Sequence, residues 1–113
     1  MANLGERAFQ MWPLLVFAAV NRRILTYREV GDCTGMAYSG LGGCLERIHL
    51  YCEKHDLPPL TILVVSVDTG LPGGGFHSIK IDSAESLAQA QRNVFQYDWA
   101  KHKPQLEIGR AHV

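Results

Sequence analysis

The side chains best equipped for chemistry gather in one stretch, at Cys44, His49, Cys52 and His55. Thiolates and imidazoles are zinc ligands, and on a helix a pair three residues apart can share one ion. His49 with Cys52, and Cys52 with His55, have that spacing. His49 and His55 are six apart and point to different sides of a helix, and Cys44 lies too far along the axis to join them. A structural zinc site takes two short pairs from separate segments. The stretch therefore reads as a buried cysteine stripe with two surface histidines, and no metal or other cofactor is expected. Cys33 makes the cysteine number odd, so no secreted disulfide framework is implied and the thiols read as free and mostly buried. Asp98 and His102 stand at i, i+4, but no nucleophile accompanies them for acid–base work. The run Gly70-Leu-Pro-Gly-Gly-Gly-Phe76, with His77 just beyond, invites a phosphate-loop reading. It lacks the Lys-Ser/Thr of such loops and a helix directly after it. It reads instead as a tight turn whose glycines let another backbone approach closely.

The elements that position these groups follow from periodicity and punctuation. Residues 1–8 read as a loose lead. Residues 9–20 read as a helix with Phe9, Trp12, Val16, Phe17 and Val20 on one buried stripe. Pro13 belongs in a first helical turn, which places the start near Trp12, and Asn21 ends it. Thr26 with Glu29 three residues on is a capping box for a short helix over 27–33, closed by Gly35. Ser39 caps a longer helix to about His55, with Leu41, Leu45, Ile48 and Cys52 as its apolar stripe. Pro58-Pro59 forbids continuation. Residues 61–67 are β-branched and nearly all apolar, a buried strand. A turn at 68–70 leads into the glycine loop. Ser83 opens a last helix to about Trp99, with Leu87, Ala90, Val94 and Tyr97 along one face. The aromatic group Phe95, Tyr97 and Trp99 closes the core, or anchors a protein partner where it is exposed. Residues 101–113 lack periodicity and read as an exposed tail.

Short helix, glycine-containing turn, longer helix, strand and glycine loop make the layout of a winged helix-turn-helix. Over about 50 of the 113 residues the chain also resembles the DNA-binding domain of the alkylguanine-DNA alkyltransferases and their non-enzymatic alkyltransferase-like relatives. The residues that carry the resemblance are Thr26-Tyr27, Leu41-Gly42-Gly43, Val64-Val65 and the glycine loop. In that family a Thr-Tyr pair opens the first helix of the motif, with the tyrosine near the phosphate of a flipped nucleotide. An arginine that slips into the base stack precedes the apolar-Gly-Gly run. Here its position falls near Ser39, so the intercalating arginine is absent. The family's reactive Pro-Cys-His-Arg-Val-Val, aligned on Val64-Val65, puts Thr61, Ile62 and Leu63 over the Cys, His and Arg. The acceptor thiol and its activators are missing, and an alkyl acceptor needs a thiolate made reactive by a neighbouring base. The resemblance therefore implies a scaffold without the chemistry.

The 113 residues suit one domain, taken as winged-helix-like over 1–100 with 101–113 as tail. A hydrophobic share of 47% and a charged share of 19% fit a globular chain. No apolar run reaches the roughly 18–20 residues that span a bilayer. No signal peptide pattern is present, so the sequence predicts a cytoplasmic protein that does not enter a membrane. Eleven Lys and Arg balance eleven Asp and Glu, a zero net charge that counts against strong non-specific nucleic-acid binding. The expectation is a small α+β winged helix-turn-helix domain with an additional C-terminal helix. Its expected function is non-enzymatic binding of double-stranded DNA. The helix over 39–55 would read the duplex and the loop over 72–75 would be the wing. The expected contact residues are Thr26, Tyr27, Arg28, Tyr38, Ser39, Gly42, Gly43, Arg47, Gly73 and Gly74, with Arg22 and Arg23 as further phosphate partners. The alternative is a protein-interaction module (an immunity, inhibitor or accessory factor) on the same scaffold, engaging its partner through Phe95, Tyr97 and Trp99.

Overall fold

A computed structural model describes residues 4–68, 70 and 84–102, and for 4, 5, 38, 39 and 84 the backbone alone. In chain order they form α1 (Leu4–Val20), β1 (Leu25–Thr26), α2 (Tyr27–Thr34), α3 (Tyr38–Lys54), a 3-10 turn (Leu60–Leu63), β2 (Val64–Val65), α4 (Ala84–Gln96) and a second 3-10 turn (Trp99–Lys101). The described chain is therefore mostly helical with a two-stranded parallel sheet, a coarse α+β arrangement. No helix among the described residues is long and apolar enough to cross a membrane. The loop over 72–75, Ser83 and residues 103–113 lie outside the described residues.

α1 starts at Leu4 rather than near Trp12, and Pro13 lies inside it on the exposed side. An interior proline forfeits one backbone hydrogen bond. The helix continues through it because its buried stripe extends to both sides: Ala8, Met11, Trp12, Leu15, Ala18 and Ala19 are all buried. The stripe lies one position away from the expected one. Phe17 and Val20 are 58% and 63% exposed, and Phe9 and Val16 only edge the core. α1 packs chiefly on α3, whose Leu41, Leu45, Ile48 and Cys52 are buried as the spacing predicts.

α2 forms as its local signals dictate. Thr26 Oγ1 accepts from the Glu29 N–H at 3.1 Å, and Glu29 Oε1 accepts from the Thr26 N–H at 3.0 Å, which completes the capping box. Gly35 ends the helix in the left-handed region at φ 72, with its N–H donating to the Gly31 carbonyl at 2.8 Å. α3 begins at Tyr38 behind an Ala37 that offers no side-chain cap, so Ser39 lies inside the first turn instead of capping it. It ends at Lys54, short of the prolines.

The expected strand over 61–67 is only partly a strand. Leu60–Leu63 are buried in a 3-10 turn, and Val64–Val65 alone pair with β1, in the register Leu25↔Val64 and Thr26↔Val65. The partner limits the ladder: Arg22 turns the chain at φ 54 just before β1, and the capping box starts α2 just after it. The 3-10 turn keeps buried backbone groups paired: the Ile62 N–H donates to the Pro59 carbonyl, and Gln91 Nε2 of α4 donates to the Ile62 carbonyl at 3.4 Å. α4 ends at Gln96, and Trp99 enters the core from the second 3-10 turn, its Nε1 donating to the Val94 carbonyl at 2.8 Å. Lys101 and His102 are therefore structured parts of the fold rather than tail, and His102 is half-buried.

Candidate nucleic-acid interface

β1 and β2 run parallel and end side by side, so the residues that follow each strand meet at one edge. α2 begins there with Tyr27 and Arg28, and the chain after β2 turns through Ser66, Val67 and Asp68. α3 comes in beneath, joined to α2 by a turn of three residues, Gly35 to Ala37. Two helices joined by a short glycine-containing turn are the frame of a helix-turn-helix. Between these pieces lies a cleft of about 470 Å³ lined by Tyr27, Arg28, Leu41, Gly42, Ser66, Val67 and Asp68.

Three of the expected contact residues meet in that cleft: Tyr27, Arg28 and Gly42. Arg28 is exposed and Tyr27 half-buried. Gly42 is an exposed helical glycine, and a Cβ added to it would meet nothing within 4 Å. Thr26 is committed to capping α2. Gly43 and Arg47 are half-buried on α3 and do not line the cleft. The side chains of Tyr38 and Ser39, and all of Gly73 and Gly74, lie outside what the structure describes. Arg22 stands over the Phe95 ring, 6.0 Å from its centre, on a different pair of elements. Arg28 is the single cation lining the cleft among the described residues, and Asp68 is the single anion.

Sequence reasoning missed Ser66, Val67 and Asp68. Their turn is well defined: Ser66 Oγ accepts from the Asp68 N–H at 3.2 Å, and the Ser66 carbonyl accepts from the Gly70 N–H at 2.8 Å, with Gly70 at φ 69. Val67 is 61% exposed at the cleft's rim. A parallel reading of the two short strands would have placed these residues beside Tyr27, since crevices form beyond the carboxyl ends of parallel strands.

The thiols and histidines are arranged against chemistry in this region. Burial pushes the Cys44 thiol above its ordinary range, with Arg7 and Arg47 partly opposing, and pushes Cys52 up to about 11 against a hydrogen bond from the Leu60 backbone. Both thiols are therefore protonated, and poor nucleophiles, at neutral pH. Cys33 is exposed on α2, whereas Cys44 and Cys52 are buried. Thr61, which the resemblance sets over the acceptor thiol, is 3% exposed, and its hydroxyl has no hydrogen-bond partner among the described residues. His49 is not a surface residue: it is buried, with Nε2 3.7 Å from Glu53 Oε1. No group of three or more potential metal ligands occurs among the described residues. Asp98 and His102 part company, since Asp98 Oδ1 accepts from the Ala100 N–H while His102 reaches Tyr51. Of the aromatic trio set aside for a protein partner, Trp99 is buried, and Tyr97 packs on it with ring centres 4.7 Å apart. Trp99 is thus core, not anchor. Compared with protein-family models, with curated proteins and with solved structures, the chain finds no match.

Proposed function

We propose that this chain is a non-enzymatic DNA-binding protein that engages a duplex through α2 and α3 as a helix-turn-helix of the winged type, as its resemblance to the alkyltransferase-like proteins implies. The observation that carries the reading is the convergence of Tyr27, Arg28 and Gly42 on one cleft, formed by the start of α2, the N-terminal part of α3 and the turn after β2. Arg28 supplies a phosphate contact, the Tyr27 hydroxyl a second polar one, and Gly42 leaves the α3 surface bare where a nucleic-acid backbone can come close. The first turn of α3, with Gly40 to Gly42, is the part such a helix presents to base edges. The non-enzymatic reading rests on the protonated, buried Cys44 and Cys52 and on Thr61 in the acceptor's place.

Backbone amide NMR of the labelled protein with a short duplex tests this. Amides of Tyr27, Arg28, Gly42 and residues 66–68 are expected to shift together on titration. Shifts confined to α1 and α4, or none at millimolar duplex, would sink the proposal.

A second reading is favoured by one observation. Phe17 and Val20 are exposed and line a groove of about 420 Å³ together with Trp12, Pro13, Val16, Asn21, Trp99 and His102. An uncharged apolar face of this kind suits a protein partner. The interaction module of the alternative reading would then use the α1 groove, to which Trp99 contributes, rather than Phe95 and Tyr97.

A further inference from the structure

The outer face of α1 shares no residue with the cleft. Among its described side chains the exposed ones are Glu6, Gln10, Pro13, Phe17 and Val20, on the side opposite the buried stripe. Their spacing alternates four and three, the period of a helix seam that packs on another helix. Pro13, Phe17 and Val20 line the groove, whose lining holds no Lys, Arg, Asp or Glu. Charge is sorted along the same stripe. Glu6 stands in the first turn, the apolar residues follow, and Arg22 and Arg23 come directly after the helix, with all three ionisable groups exposed.

We propose that this face is a self-association surface, which takes α1 of a second copy of the chain antiparallel to itself. The order acid, apolar, base along the stripe is self-complementary only when one helix is reversed. Setting Pro13 opposite Val20 of the second copy brings Phe17 close to the two-fold axis and Gln10 opposite Arg23. Glu6 then lies one turn further out, about 6 Å along the axis, a step that an arginine side chain covers. Arg22 is already placed over the Phe95 ring of its own chain, so Arg23 supplies the contact. Reversal also sets the positive end of each helix dipole beside the negative end of the other. With zero net charge, two copies meet without long-range repulsion.

The inference rests on the second reading of the α1 face and names its partner; it stands independently of the proposed DNA role. One helix from each copy, about 25 Å long, covers less than the roughly 1,200 Å² of the smallest stable interfaces. The dimer is therefore weak, with a Kd in the range of about 10 µM to 1 mM. Burial of Phe17 and Val20 supplies most of its stability, and the charged ends set its direction.

The experiment is sedimentation equilibrium of the full chain at low salt, from about 10 µM to 1 mM, with circular dichroism to show that each variant keeps its fold. The parent chain should pass from monomer toward dimer across that range. Phe17→Asp should weaken the dimer by about tenfold or more. Glu6→Lys and Arg23→Glu should each weaken it by roughly 3–10-fold. An equimolar mixture of those two should recover the parent level, because opposite charges then face each other at both ends. Dimers indifferent to Phe17→Asp, or charge variants that do not recover on mixing, would overturn the proposal. A chain that stays monomeric throughout would also overturn it and leave the α1 face to an unlike protein. Affinity capture with the parent chain against Phe17→Asp then separates that case from failure of the second reading itself.

Discussion

Gly42 shows most clearly where fold and proposed function pull apart. An exposed glycine inside a helix costs about 1 kcal/mol relative to alanine, and a Cβ at this position meets nothing. Gly42→Ala should therefore raise the thermal midpoint while weakening duplex binding, because the added methyl would stand where the proposed interface takes the DNA backbone. Melting curves and binding isotherms of the variant check both halves; unchanged affinity would remove Gly42 from the interface. At Cys52 the forces are electrostatic. Its thiol is raised by burial to about 11, so the folded state holds the proton more tightly than the unfolded chain does. The associated stability is complete below the ordinary thiol range, near 9, and is lost as pH rises from there toward 11. A rise of that size corresponds to roughly 3 kcal/mol. Denaturant midpoints should fall across that window in the parent chain and fall less steeply in Cys52→Ala. Equal slopes would mean that Cys52 is not held in its protonated, buried form.

The elements differ in how local their causes are. Everything that defines α2 lies close by in the chain, in Thr26, Glu29 and Gly35, and all of it was legible in the sequence. Replacing Thr26 with alanine removes the side-chain half of the capping box, which costs about 1 kcal/mol. For a chain of this size the thermal midpoint should drop by about 4 °C; an unchanged midpoint would show that the cap carries no stability. α1 was legible as a helix but not as a face. Two stripes fit its period, and the buried one includes Ala8, Ala18 and Ala19, small residues that weigh little until α3 is packed against the helix. The segment 60–65 was legible as buried and not as turn-then-strand. Its composition says nothing about a partner two residues long and far upstream in the chain. Missing that parallel pairing also hid Ser66, Val67 and Asp68, a whole wall of the cleft.

The molecule as a whole carries no net charge, so any hold on DNA rests on a few placed groups rather than on a field. Arg28 is the single cation lining the cleft among the described residues, beside Asp68. This arrangement predicts modest affinity, with a Kd in the range of about 1–100 µM, and a shallow salt dependence. The most direct test of the central claim is fluorescence anisotropy of a labelled duplex titrated with the parent chain and with Arg28→Ala from low to physiological salt. The account predicts saturable binding by the parent chain, weaker binding by Arg28→Ala, and a slope of log Kd against log salt reduced by about 1 in the variant, the loss of one phosphate contact. Absence of binding at low salt, or identical isotherms and slopes for the two proteins, would contradict it.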